Sequence, residues 1–180
     1  AIPAPPRGRA PPGGAKGERA VSLTISIEPM TLEDLEAVAR IEKEAFEQPW
    51  SVQSFRTELI RNKMAHYLVA RVGDKVAGYG GIWVIFNEAH LTTLAVGRPY
   101  RRCGVGTALL KALMKKAAEL GARRISLEVR PSNHAARSLY EKFGFTIQGV
   151  RKRYYFNEDG LVMFNNNLDI DGETNDEPVS

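Results

Sequence analysis

The sequence holds a single cysteine, Cys103, so no disulfide can form within the chain, and a reducing compartment such as the cytoplasm is expected. It holds no run of about 18 unbroken apolar residues, which excludes a membrane-spanning helix. The first apolar cluster, Val21 to Ile27, alternates with polar residues and so does not read as the core of a secretory leader. Three histidines, His66, His90 and His134, with one cysteine show no metal-ligand spacing, and no metal is expected. No internal repeat is visible. What is present is 180 residues, 43% of them hydrophobic and 26% charged, enough for one globular domain with a substantial core.

Charge is unevenly spread over the net +4. Residues 1–19 carry Arg7, Arg9, Lys16 and Arg19 against Glu18, and residues 169–180 carry Asp169, Asp171, Glu173, Asp176 and Glu177 with no base. The intervening body is basic, which suits either an anionic cofactor or a ribonucleoprotein partner, or is an ordinary solvated surface. Residues 1–20, rich in Pro, Gly, Ala and Arg, are expected to form a disordered extension, and 169–180 an acidic disordered tail. The domain is expected over 21–168.

Within that span strands and helices alternate. Val21, Leu23, Ile25 and Ile27 share one face of a strand. Thr31 caps a helix, with Asp34 at its third position, Met30 and Leu35 placed as a hydrophobic staple, and Leu35, Val38, Ile41 and Ala45 as the inward stripe. Ser51 repeats the device with Trp50 and Phe55. Strand-like runs over Tyr67–Val72 and Val76–Phe86 meet at Gly73-Asp74, and a turn at Asn87-Glu88 leads into a third run, Ala89–Val96. Val105–Leu120 is an amphipathic helix with Leu109, Leu110, Leu113, Ala117 and Leu120 on one face, ended by Gly121. A strand over Arg124–Val129, a helix over Ser132–Phe143 and strands over Phe145–Arg151 and Leu161–Leu168 complete an α/β domain. The helix between Ala89–Val96 and Arg124–Val129 implies a right-handed parallel crossover.

The segment Arg101-Arg102-Cys103-Gly104-Val105-Gly106-Thr107 follows a strand and opens the long helix. Free amides at a helix N-terminus attract phosphate, glycines admit its close approach, and Arg101 and Arg102 add charge. A purely structural turn would use the same glycines. The segment is neither a P-loop nor a dinucleotide fingerprint, because the spacing of its glycines differs and no Gly-Lys-Ser/Thr follows.

The pattern Gln/Arg-x-x-Gly-x-Gly/Ala at a strand-to-helix junction resembles the pyrophosphate loop of the GNAT acetyltransferases. Leu94-Ala95-Val96 precedes it, and Leu127-Glu128-Val129-Arg130-Pro131-Ser132-Asn133 and Leu139-Tyr140-Glu141-Lys142-Phe143-Gly144-Phe145 follow. Together with Pro49-Trp50-Ser51 these blocks are similar to the RimI-type ribosomal-protein alanine N-acetyltransferases and their archaeal N-terminal acetyltransferase relatives, from about Ile25 to Met163. The resemblance implies the GNAT fold: a mixed, mostly antiparallel sheet with a splayed parallel pair and about four helices. It also implies acetyl-CoA as co-substrate. Leu94, Ala95 and Val96 would hold the pantetheine arm and the acetyl carbonyl, and Arg101, Arg102, Cys103, Gly104, Val105, Gly106 and Thr107 the pyrophosphate. Asn133 would add a contact beyond the second strand.

The same resemblance places the general base on Glu128, acting through water, and the general acid on Tyr140, with direct attack in a ternary complex. Each residue has a plainer reading. Glu128 suits an ion pair with Arg130 or Arg151, Tyr140 shares a helix face with Ala136 and Phe143 and suits the core, and Cys103 suits a small apolar filler. His90, at the start of the cofactor strand, is a reserve candidate for a proton relay. The acceptor implied is a protein N-terminus, a ribosomal protein beginning with alanine or a wider set. A small amine such as a polyamine or aminoglycoside, and a catalytically idle CoA- or ribosome-binding module, remain as alternatives. No direct nucleic-acid or membrane partner is expected, and a monomer is favoured. The sequence departs from the family near its end: Tyr154-Tyr155-Phe156-Asn157 runs straight into Glu158-Asp159-Gly160, a shortened loop, and Asn165-Asn166-Asn167 replaces an apolar strand end. Tyr154, Tyr155, Glu47 and Trp50 are candidates for lining an acceptor groove.

Overall fold

In a computed structural model the described residues are 23–168. The expected tails, 1–20 and 169–180, and Val21 lie outside them. Seven strands form one sheet: β1 (Ser26–Pro29), β2 (Ala65–Val72), β3 (Lys75–Ile85), β4 (Glu88–Val96), β5 (Arg124–Val129), β6 (Thr146–Tyr155) and β7 (Glu158–Asn165), in the order β1-β2-β3-β4-β5-β7-β6. Every pairing is antiparallel except β4 with β5. Helices α1 (Leu35–Ala45), α2 (Val52–Arg61), α3 (Val105–Glu119) and α4 (His134–Lys142) complete the fold.

The helices divide between two cores. Leu35, Val38, Ile41 and Phe55 of α1 and α2 meet Tyr67, Val69, Tyr79 and Ala95 of the sheet. On the other face Leu109, Leu110, Leu113 and Ala117 of α3, with Ala136 and Tyr140 of α4, cover Ile82, Leu91, Leu94, Ile125 and Leu127. Each leucine sealed in this way stabilises the fold by roughly 2 kcal/mol. Both expected caps are present. Ser51 accepts the Ser54 amide at 3.1 Å, and Trp50 meets Phe55 edge-on at 5.4 Å as the staple. Thr31 and Asp34 form a capping box over a short 3-10 turn, Leu32–Asp34, that leads into α1.

Asp34 does more than cap. It is buried, and Arg71 of β2 donates to both its carboxylate oxygens at 2.8 and 3.0 Å. Burial pushes its carboxyl up, but the Thr31 amide, the Thr31 hydroxyl and Arg71 outweigh that and hold it below the usual carboxylate range. A carboxyl with a lowered folded-state value stabilises the fold above its unfolded value and loses that contribution as pH falls through the folded one. Asp34→Asn is therefore expected to cost about 2 kcal/mol in urea unfolding at pH 7, with the difference from wild type shrinking below about pH 4. A difference independent of pH would contradict the ion-pair account.

Several boundaries differ from the sequence reading. The β3–β4 turn is Phe86-Asn87, one residue earlier than expected, because Ile85 pairs with Glu88; Phe86 takes a positive φ of 52° and points into solvent. Leu120 lies beyond α3 at its C-cap and is 40% exposed, so it leaves the apolar stripe. The helix expected from Ser132 begins at His134, because Asn133 is its N-cap and accepts the Ala136 amide at 3.2 Å. β6 and β7 are offset toward each other and close through a two-residue turn, Phe156-Asn157. Asn165 donates to the Phe143 carbonyl at 2.8 Å, tying the end of α4 to β7, which accounts for a polar residue at that strand end.

Candidate active site

The parallel pairing of β4 with β5 covers only Glu88↔Arg124, Ala89↔Ile125 and His90↔Ser126. Beyond His90 the two strands separate. The cause lies on the other side of β4: Gly81 pairs with Thr93 but Ile82 pairs with Leu91, so Thr92 is the extra residue of a bulge. A bulge bends its strand and increases its twist, which turns Leu94–Val96 away from Leu127–Val129. Two facing strands are thereby left without a ladder between them, and an extended chain can enter and pair with both.

The candidate loop sits at the head of this gap. Arg101 donates from Nε to the Val96 carbonyl at 3.3 Å, which fastens the loop to the end of β4. Cys103 is half-buried and its Sγ lies 3.5 Å from the Arg101 carbonyl, a filler's position within the loop. Arg102 and Gly104 both adopt positive φ, 62° and 80°, so the chain turns sharply into α3. As at any helix start, the amides of Val105, Gly106 and Thr107 have no carbonyl four residues back inside the helix, and Ala108 is the first to bond, to Gly104 at 3.0 Å. A Cβ on Gly106 would meet only ordinary contacts, Val96 at 3.7 Å and Leu139 at 3.8 Å. The protein's own packing thus does not require glycine at 106, whereas an anion seated on these amides would. The loop fits a pyrophosphate.

Glu128 lies on β5 where the strands have parted, and it is 7% exposed. Its Oε2 is 2.6 Å from His90 Nε2 on β4 and its Oε1 is 3.3 Å from an Arg151 guanidinium nitrogen on β6. Of its two expected ion-pair partners the structure selects Arg151; Arg130 instead bonds Asn157 at 2.6 Å, lies 3.5 Å from Glu158 and stacks over the Tyr155 ring at 4.3 Å. Glu158 accepts the Ser132 amide and hydroxyl, each at 2.8 Å. Its burial raises its carboxyl, but Ser132 and Arg130 outweigh that and hold it below the usual range. The β6–β7 turn is thereby latched to the segment joining β5 to α4.

Tyr140 of α4 is buried beside Ala136 and Phe145, as its helix face suggests, and burial pushes its phenol well above the ordinary value. Tyr155 is also buried, and its phenol is raised by burial first and then by the neighbouring Tyr154, Glu128 and Tyr140. Glu128 thus meets His90 directly and has Tyr155 nearby, and Tyr155 in turn neighbours Tyr140, so residues of four elements follow one another around the parting of the strands. Trp50 serves as staple and donates its amide to Glu42 at 3.2 Å, while Glu47 is exposed on the α1–α2 connection. In the sequence His90 is only a reserve candidate and Arg151 only a possible ion-pair partner; their meeting at Glu128 depends on a strand register, His90 beside Ser126, that no local signal in the sequence reveals. Among the described residues no group of three or more His, Cys, Asp or Glu is placed to hold a metal, and no helix is long and apolar enough to cross a membrane.

Comparison with known proteins agrees with this fold. The acetyltransferase (GNAT) family model matches residues 35–145. A Bacillus subtilis (strain 168) protein provisionally named a ribosomal protein bS18-alanine N-acetyltransferase is 44% identical over 137 residues, covering 75% of this chain and 91% of its own. The ribosomal protein bS18-alanine N-acetyltransferase of Escherichia coli (strain K12) is 37% identical over 129 residues, 71% of this chain and 84% of its own. Among solved structures, the ribosomal-protein-S18-alanine N-acetyltransferase from Escherichia coli superposes with a TM-score of 0.72 at 32% identity, covering 78% of this chain and 92% of that one. Ard1 from Thermoplasma volcanium gives 0.73 at 26% identity, covering 81% and 99%.

Proposed function

The chain belongs to the GNAT acetyltransferase family, and from that premise we propose that it transfers acetyl from acetyl-CoA to the N-terminal alanine amine of a ribosomal protein in the cytoplasm. The observation that carries the proposal is the carboxylate–imidazole pair Glu128–His90, set at the point where β4 and β5 part. Acetyl-CoA supplies an acyl group activated as a thioester. The amides opening α3, with Arg101 and Arg102, hold its diphosphate, and the unpaired edge of Leu94, Ala95 and Val96 pairs with its extended arm. One backbone N–H of that edge donates to the carbonyl oxygen as it gains charge. Asn133, with its Oδ1 committed to the α4 cap, holds the loop beyond β5 where a further contact forms.

A peptide α-amine titrates at about 8, so a usable fraction arrives neutral near pH 7, and a modest base suffices to take the proton that the nitrogen gives up on attack. Glu128 is that base, receiving the proton directly or through water, and His90 orients it and shares the proton. Tyr140, kept protonated by its burial, donates to the sulfur as the carbon–sulfur bond breaks. A phenol is a weaker acid than a thiol, so the tyrosine stabilises the leaving thiolate by a hydrogen bond and retains its proton, and the thiolate departs as such or is protonated by solvent. The neutral amine attacks directly, and Cys103, held against its own loop, takes no part.

The test is incubation of the protein with labelled acetyl-CoA and peptides starting with Ala, Ser or Met, alongside a polyamine and an aminoglycoside. Label is expected on the Ala-starting peptide most rapidly, and on its α-nitrogen. Transfer to the small amines alone would replace the acceptor assignment, and CoA binding without any transfer would leave only the idle module.

A further inference from the structure

The proposed base carries a cation at its open side. Arg151 reaches from β6 across β7 to Glu128 on β5, and β7 leaves room for it: Gly160, opposite Arg151, has no side chain. The Tyr154 side chain also lies over this glycine, where an added Cβ would come within 2.9 Å of it. The Arg151 guanidinium leans on the Tyr154 ring at 5.4 Å. Its contact with Glu128 Oε1, at 3.3 Å, is an ion pair, while the close hydrogen bond to the carboxylate is made by His90 at Oε2. Arg151 thus brings charge to the base and is itself 59% exposed, so it is reachable from solvent while the carboxylate behind it is buried.

We propose that Arg151 is a charge screen that prevents the acceptor from being held at Glu128 as an unreactive ammonium ion. The inference rests on Glu128 receiving the acceptor amine, as argued above. An uncompensated carboxylate attracts a protonated amine, and the resulting pair stabilises the form of the substrate that cannot attack. With Arg151 in place the carboxylate is already balanced, and a second cation meets a like charge. A neutral amine meets no such penalty. Around Glu128, His90 meets it from β4 and Tyr155 lies near it on β6, while Arg130, just past β5, is engaged by Asn157 and Glu158, so Arg151 is the permanently charged group beside the carboxylate. Arg151 therefore acts through Glu128 as a positioning residue.

The measurement uses CoA in place of acetyl-CoA, so that no transfer occurs, and follows an Ala-starting peptide by calorimetry at pH 7. Arg151→Met is expected to bind the peptide about fivefold more tightly than wild type, the size of a like charge removed from about 6 Å away at a half-exposed position. Arg151→Lys restores wild-type affinity, and an Nα-acetylated peptide, which has no ammonium, shows no gain. In turnover the Met variant lowers the acceptor KM and kcat together, a split that a loosened fold would not produce. Equal peptide affinity in wild type and R151M, a gain that persists with the capped peptide, or no peptide bound by either protein overturns the screen. A wild type that binds peptide without ever transferring acetyl defeats the acetyltransferase reading instead, and leaves the binding comparison to decide the role of Arg151.

Discussion

Glu128→Gln is expected to lower kcat for an Ala-starting peptide by about a thousandfold while leaving the acetyl-CoA KM within a factor of two of wild type. The size is that of a positioned general base removed. Glutamine keeps the shape of the side chain and one acceptor oxygen for His90, so packing on β5 is preserved. What it loses is the charge balanced by Arg151 and the capacity to take a proton. The cofactor-binding edge of β4 and the loop ahead of α3 are main-chain features and stay as they are. Because His90 touches Glu128 at 2.6 Å, the two are expected to behave as a unit: adding His90→Ala to the Gln variant costs little more than the Gln change alone. Turnover of the single Gln variant within threefold of wild type, in a protein of unchanged melting temperature, would remove Glu128 from the mechanism.

The second large effect concerns Tyr140. Tyr140→Phe is expected to reduce kcat about a hundredfold with both KM values nearly unchanged, through loss of the donor to the leaving sulfur. Stability is expected to hold or rise slightly, because phenylalanine fills the same site beside Ala136 and Phe145 and brings no hydroxyl to bury. The pH profile separates this role from plain packing. Burial disfavours the tyrosinate and raises the phenol, so in wild type Tyr140 stays protonated through the assay range, up to about pH 10. The phenylalanine variant should then show the same alkaline limb as wild type at a uniformly lower rate. A wild-type decline below pH 10 that disappears in Y140F would mean that the phenol ionises within the range, and unchanged kcat would leave Tyr140 as core alone.

Much of the fold was legible because short-range rules govern it. Thr31 and Ser51 announce helix starts through bonds closed within three residues: Ser51 accepts the Ser54 amide with its hydroxyl, and Asp34 accepts from the Thr31 amide and hydroxyl. The spacing of Leu109, Leu110, Leu113 and Ala117 places α3 against the sheet whatever the neighbouring strands do. The misjudged positions lie where tertiary pairing decides. Leu91 and Leu94 pack into the same core, which strict alternation along a strand forbids; the Thr92 bulge reconciles them, and nothing local to Leu-Thr-Thr-Leu shows it. Residues 152–155 did not read as strand because Lys152 and Arg153, following Arg151, are polar on both faces; as the outermost strand, β6 needs little apolar surface.

Short ordered motifs over 94–107, 127–133 and 139–145 carried the family resemblance, and that resemblance in turn pointed to the helix start proposed to hold phosphate and to the two candidate catalytic residues. Only the folded sheet decided that β4 and β5 part after His90, that His90 rather than Arg130 meets Glu128, and that Arg151 crosses a glycine-bearing strand to stand beside it. Those contacts join residues 23 and 38 positions apart, and they follow from strand order, register and a single bulge, which alternation along any one segment does not encode.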